Sequence, residues 1–475
     1  MQRFILLSLG VVLQLAAMQP LCAQSRSAIP AAKGEVVTPV PAVASDSLPN
    51  GLRYFLTRVN DVPIAEISII VDAGLSCEHS GESGLAFVTS QLLLAGSEKR
   101  TRQMMDDFLH EQATVLLPYT HYDYSQLYVK TLNRNFSTSM DVAADALINP
   151  TFNAQELAVL KTESRTRLPD QTLGAGSKAT KELIGMLCGE ASVLGRRLQP
   201  MQSEIDPITV QQVREFHQRC YTPERTTVVV TGDLDPAFVR TVLTERFGGW
   251  KRGATPRGTI TPITKAASRN IILDDTSTVH NLAYFRLGVT AIPQSDRRFP
   301  ALVVLNRILG EGNDSRLRSA LWGRHVVSPS FISNIGVARE CSYLIISGST
   351  SPVLADSVII LVKNELQALA TDGITVEELN RVREELLRDS PLMFASNRNL
   401  QSLLKEAAVY GSPVQEVFSF ADRLREMRPE DVNGLARELF DASRLCIVVL
   451  GNAFTLRKPL SSVLGSVPVK RAQIE

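Results

Sequence analysis

At 475 residues, 44% hydrophobic and 21% charged, the chain has a globular composition and is long enough for two or more domains. Fifty Lys and Arg stand against 49 Asp and Glu, for a formal charge of +1. With no basic run present, nucleic acid and charged membrane surfaces are excluded as principal partners. The six cysteines are widely spaced and contain no Cys-x-x-Cys, which excludes a zinc ribbon or a dense disulfide scaffold.

The chain opens with a basic Met1-Gln2-Arg3, an apolar run of roughly 15 residues, and Cys22-Ala23 before Gln24. This pattern predicts a signal peptide over 1–23, cut after Ala23, since a membrane span needs about 20 apolar residues. Cys22 lacks the small preceding residue of a lipid-attachment site. The mature chain then carries no integral membrane segment and no net charge. Its five cysteines (Cys77, Cys188, Cys220, Cys341, Cys446) read as small core residues, or as holding one disulfide whose pair the spacing does not name. Residues 24–46, rich in Ala, Pro, Ser and Val without a period, predict a flexible lead-in.

Order is expected from Leu48-Pro-Asn-Gly-Leu-Arg-Tyr-Phe-Leu, a turn feeding a strand. Ile67 to Asp72 and Ser125 to Lys130 are strand-like, whereas Val142 to Ile148 and Val353 to Leu369 have helical spacing. Gly, Pro and Thr crowd residues 251–269, which predicts a linker between lobes at 47–250 and 270–475. The two sides repeat. Helical patterns open with capping residues at Asn153 to Leu157 and at Thr375 to Leu379, an offset of 222. Val213 and Val432 begin later helices, and Gly232 and Gly451 end apolar strands, both pairs offset by 219. A near-constant offset across three landmarks indicates internal duplication. The expected fold is α+β: two homologous lobes, each a mainly antiparallel sheet covered by helices on one face.

In this order, Leu48-Pro-Asn-Gly-Leu-Arg, Val71-Asp-Ala-Gly-Leu-Ser-Cys-Glu, Gly84-Leu-Ala, Leu94-Ala-Gly-Ser-Glu-Lys-Arg-Thr and Asn149-Pro-Thr-Phe resemble landmarks of the M16 (pitrilysin/insulinase-like) peptidase family. The likeness is to its M16B-type bacterial subunits and their LuxS/MPP-like fold. Leu305-Asn-Arg-Ile-Leu-Gly and Asp314-Ser-Arg-Leu are similar to the start of the family's non-catalytic lobe. The resemblance covers residues 47 to 455.

Active members place His-x-x-Glu-His directly after Gly-Leu-Ala. Two His one turn apart bind zinc, and the Glu polarises the attacking water. Here the window reads Phe87-Val-Thr-Ser90-Gln91, so both ligand positions and the general base are replaced. The third ligand, a downstream Glu, falls on Arg167, with Glu163 one helical turn away. His79-Ser-Gly-Glu-Ser83 imitates the motif in what reads as a loop, and the remaining histidines are single. An Arg/Tyr pair that stabilises the oxyanion in the partner lobe falls on Trp322 and Pro329, with Arg324 and Phe331 nearby.

The resemblance therefore implies no catalytic residue and no cofactor of the chain's own, with zinc expected only in a partner subunit. It implies a non-catalytic M16 subunit that pairs with an active one and encloses peptide or unfolded protein segments. Substrate contact would come from Val115, Leu116, Leu117, Tyr119 and Thr120, where active relatives hold an extended peptide by edge addition. A standalone peptide-binding scaffold and a zinc peptidase with atypical ligands are the alternatives. Signal and family together imply the periplasm of a Gram-negative bacterium. Phe87 is expected to pack inward between its helix and the sheet, leaving Ser90 and Gln91 toward the cleft.

Overall fold

The structure is a computed structural model that describes residues 42–59, 62–167, 174–190, 192–253, 263, 266–275, 282–322, 331–390 and 396–472. The expected signal peptide lies outside these residues, as does most of the expected linker. Among the described residues, no helix is long and apolar enough to cross a membrane.

The first lobe carries six strands: β1 (Val43–Ser47), β2 (Arg53–Arg58), β3 (Ile64–Val71), β4 (Val115–Thr120), β5 (Ser125–Leu132) and β6 (Thr226–Gly232). They lie in the order β1-β2-β6-β3-β5-β4, antiparallel except where β2 meets β6. Its longer helices are α1 (Leu85–Leu92), α2 (Arg102–Glu111), α3 (Phe136–Ile148), α4 (Ala154–Arg167), α5 (Ala175–Cys188), α6 (Val210–Cys220) and α7 (Pro236–Phe247). The second lobe has β7 (Asn270–Asp274), β8 (Ala283–Ala291), β9 (Ile332–Val337), β10 (Ser342–Thr350), β11 (Cys446–Gly451) and β12 (Val469–Arg471) in the order β12-β7-β11-β8-β10-β9. Its helices include α8 (Phe299–Asn306), α9 (Arg316–Trp322), α10 (Ala355–Thr371), α11 (Val376–Asp389), α12 (Asn397–Tyr410), α13 (Pro429–Leu439) and α14 (Ala453–Leu464).

The repeat landmarks fall on matching elements. Leu157 and Leu379 are each the fourth residue of α4 and α11, Val213 and Val432 the fourth of α6 and α13, and Gly232 and Gly451 close β6 and β11. Thr375 caps α11 reciprocally with Glu378: the Glu378 N–H donates to Thr375 Oγ1 at 3.1 Å, and the Thr375 N–H to Glu378 Oε2 at 2.8 Å. Asn153 makes only the first half of that box, because Glu156 turns to Arg102 at 3.2 Å instead.

Two expectations are corrected. The lead-in ends earlier than residue 46, because Val43–Ser47 pairs antiparallel with β2 along its whole length. These residues are mostly exposed, so backbone pairing rather than apolar alternation makes the strand. The sheets are also covered on both faces. The outer face of each packs on its own lobe's helices. The inner face takes a helix from the other lobe: α5 lies across β8 and β11, and α12 across β3 and β6. Leu183 and Leu187 of α5 bury against Ile345, Val448 and Leu450, while Leu400, Leu404 and Ala408 of α12 bury against Ile70, Tyr124 and Val229. Each buried leucine contributes about 1.5–3 kcal/mol. Gly288 of β8 permits the approach, since a Cβ there would meet Leu183 Cδ2 at 3.0 Å. This exchange is why β6 and β11 are buried along their whole length.

Two further ties join the lobes. A disulfide links Cys188, at the end of α5, to Cys341, just before β10. In the same β9–β10 turn, Arg339 reaches Asp72 Oδ1 at 2.5 Å and the Val409 carbonyl at 2.7 Å, while its N–H donates to Asp123 at 3.1 Å. Cys220 and Cys446 are buried free thiols, and Cys77 is half-buried.

Candidate functional site: a degenerate zinc helix beside an edge strand

Helix α1 starts at Gly84, whose φ of +84° is a left-handed conformation that a side chain resists, and a Cβ there would meet Pro200 at 3.1 Å. Glu78 ties down its first turn, accepting from the Ala86 N–H at 2.7 Å. That carboxylate is fully buried and paired with Arg196; burial raises its pKa, against the pull of the Ala86 N–H and Arg196.

The motif face departs from expectation. Positions 87, 90 and 91 are spaced i, i+3, i+4 and share one face, so they cannot divide between core and cleft. Ser90 is the buried member, 1% exposed. Its Oγ donates to the Phe87 carbonyl at 2.8 Å and lies 2.7 Å from Thr120 Oγ1 on β4. Phe87 is half-buried at the margin of the first lobe's core, and Gln91 is half-buried too. α4 packs beside α1 and ends at Arg167, whose side chain lies outside the described residues. Glu163 pairs with Arg102 at 3.7 Å. Phenylalanine offers a metal no lone pair, and the Ser90 hydroxyl is committed to protein partners. This donor set does not fit a zinc ion.

The other candidates are dispersed. His79 to Ser83 is non-helical, with Glu82 bound to Arg219 at 2.6 Å. His217 is a core residue whose Nε2 meets the Leu147 carbonyl at 2.8 Å, and burial depresses its pKa to about 4. Trp322 ends α9, but its side chain lies outside the described residues, as do Arg324 and Pro329 altogether. Phe331 is buried against Phe285.

Among the described residues, β4 is the terminal strand of its sheet, with no strand on its outer side. Val115, Leu117 and Tyr119 are 42%, 41% and 50% exposed, while Leu116 is in the core and Thr120 is half-buried. The His121 N–H donates to the Tyr124 carbonyl at 2.8 Å, which fixes the phase of the ladder. By alternation Tyr119 and Leu117 also bond toward β5, so the backbone groups of Leu116, Pro118 and Thr120 point to the open edge. Pro118 has no N–H to give, which blunts that edge at its centre. Beyond β4, the neutral form of His121 is favoured by burial and by Lys405, and its ring stacks on Tyr124. Sequence reasoning missed Tyr124 and the α12 residues facing it, because nothing in the pattern of α12 says which sheet it covers.

Residues 54–171 match the profile of insulinase, peptidase family M16, and residues 207–386 that of the M16 peptidase inactive domain. The chain belongs to the M16 peptidase family. An uncharacterized zinc protease of Streptomyces coelicolor is 22% identical over 438 residues, covering 91% of this chain and 92% of that protein. Among solved structures, an M16 inactive-domain peptidase from Pseudomonas fluorescens aligns with a TM-score of 0.77 at 19% identity, covering 91% of this chain and all of that one. The periplasmic protease PqqL of Escherichia coli aligns at a TM-score of 0.71 and 16% identity, covering 88% of this chain but 48% of PqqL. These likenesses show the two-lobed M16 fold.

Proposed function

We propose that this chain is a non-catalytic M16 subunit that pairs with a zinc-bearing M16 subunit and holds an extended peptide along the open edge of β4. The observation that carries this reading is the replacement of ligands and base by Phe87, Ser90 and Gln91 beside an edge strand that keeps its apolar, exposed face. Edge pairing uses backbone groups and does not need the metal. PqqL supports the pairing, since this chain matches about half of it and a second half completes that protein. The N-terminal signal pattern and the Cys188–Cys341 disulfide support a location outside the cytoplasm, in the periplasm.

The test is native isolation from the producing cell, with metal analysis and mass spectrometry. The expected result is a chain without stoichiometric zinc that co-purifies with a His-x-x-Glu-His sibling and cleaves unstructured peptides only in its company. About one zinc per lone chain, with chelator-sensitive cleavage, would overturn the reading.

Pro118 supplies a second measurement. Pro118→Val adds one outward N–H to the edge, and a net hydrogen bond is worth about 0.5–1.5 kcal/mol. Peptide affinity should rise roughly 2- to 12-fold by fluorescence anisotropy. Unchanged or weaker binding would show that peptides do not add to β4.

A further inference from the structure

The inner face of the first sheet, next to β4, carries a second feature. Tyr119 stands directly opposite Gln126 on β5, and Tyr128 opposite Ser68 on β3, so all four project from the same face. With Arg398, Gln401 and Lys405 of α12 as the wall, they bound a pocket of about 360 Å³.

Its chemistry is one-sided. Among the described residues, Arg398 and Lys405 are the only charged ones lining it, and both are cations. Among the described residues, neither lies within ion-pair distance of a carboxylate; Lys405 instead sits 5.9 Å over the Tyr124 ring. Glu406, its neighbour in sequence, lines the adjoining cavity and accepts from Gln294 at 3.2 Å. Glu66, beside Tyr128, faces Lys130 at 3.8 Å. Two buried nitrogens at the pocket, Gln401 Nε2 and His121 Nδ1, have no hydrogen-bond partner among the described residues, and Gln401 is only 3% exposed. A buried amide N–H without an acceptor forfeits its hydrogen bond to water, and a ligand oxygen would restore it. A larger groove of about 940 Å³, between α5 and the β7–β12 edge, is different, because three of its cations are already matched and a carboxylate, Glu182, lines it. Lys178 meets Asp275 and Lys470 meets Glu182, both at 2.9 Å, and Arg196 meets Glu78.

We propose that the pocket between β4, β5 and α12 is a carboxylate-binding subsite, in which Arg398, Lys405 and the Gln401 amide hold an anionic group of the bound peptide. This rests on the peptide-binding reading above. A strand added to β4 lies about 4.8 Å beyond it and turns alternate side chains to this same face. The carboxylate comes either from an Asp or Glu side chain or from the peptide's C-terminus. The chain would then select acidic, extended segments for its partner rather than any unfolded chain.

The experiment uses the full mature chain and fluorescein-labelled, unstructured peptides of one Thr/Ser/Val background. One series is C-terminally amidated and carries a single Glu stepped through the sequence, with Gln counterparts; another carries Gln throughout and a free C-terminal carboxylate. Each is titrated against wild type and against Arg398→Gln/Lys405→Met, which keeps the aliphatic packing. The expected result is that a Glu peptide or the free-acid peptide binds wild type about tenfold tighter than its neutral counterpart. The double variant should shrink that preference below about twofold while binding the neutral peptides as wild type does. A preference in the Glu series assigns an internal side chain; one in the free-acid series assigns a terminus. Equal affinity for all peptides in wild type overturns the subsite and leaves edge binding standing. A preference that survives in the double variant overturns it too. Absence of binding by every peptide removes the peptide-binding function itself.

Discussion

Arg339→Met is expected to lower stability by about 3–5 kcal/mol near neutral pH, measured by urea unfolding. The guanidinium sits between the buried carboxylate of Asp72 in the opposite lobe and the Val409 carbonyl of its own lobe, while the Arg339 N–H holds Asp123. Removing the charge leaves Asp72 and Asp123, 6% and 1% exposed, repelling each other without their shared cation. Burial already raises the pKa of Asp123, with Arg339 pulling it down. Loss of the cation raises it further. A folded pKa above the unfolded one means that the native state binds the proton more tightly. The deficit is therefore full above the raised pKa and shrinks as pH falls through it toward the unfolded value. Unfolding at about pH 7.5 and about pH 5 should show a larger gap from wild type at the higher pH. A gap that widens in acid would mean that Arg339 is not the counter-charge of these carboxylates.

The second large effect belongs to the Cys188–Cys341 disulfide. It closes a loop of 153 residues, and restricting the unfolded chain to that extent is worth about 3–5 kcal/mol. Cys188→Ala/Cys341→Ala should unfold at correspondingly lower urea, and wild type should match it once reduced. Alanine is the better replacement because both sulfurs lie in an apolar cluster, where a serine hydroxyl would need a partner. Cys446→Ala, at a buried thiol outside the bond, should lose much less. Equal stability of the double alanine variant and wild type would remove the disulfide as an inter-lobe brace. Because Arg339 and Cys341 share one turn, combining the variants should cost less than the sum of the separate losses.

Much of this architecture is legible in the sequence because it is local. Capping residues at Asn153 and Thr375, and the glycines ending two apolar strands, mark the same element twice at a nearly fixed distance. What is not legible is relational. Nothing in the residues from Ala175 to Cys188, a helix in the structure, names the sheet it covers. The one available signal is the unalternating run Thr226 to Gly232, which belongs to a strand buried on both faces and so requires a second layer from elsewhere. Val43 to Ser47 carries no apolar pattern at all and is a strand only because β2 pairs with it. At the site, the loss of zinc ligands at Phe87 and Gln91 is plain from the residues. The burial of Ser90 against Thr120 is not, since it depends on how β4 passes beneath α1. The pocket wall is less visible still, because Gln401 and Gln126 come from opposite halves of the chain.

The exchange of α5 and α12 also sets a clock on synthesis. When Gly232 leaves the ribosome the first sheet has all its strands, yet Ile70, Tyr124 and Val229 face nothing until Tyr410 follows 178 residues later. At about 5–20 residues per second that interval is roughly 10–35 s. Throughout it the nascent chain shows an apolar sheet surface that only its own later half can cover, so it is in this window, rather than in the finished molecule, that holding factors would find their binding site.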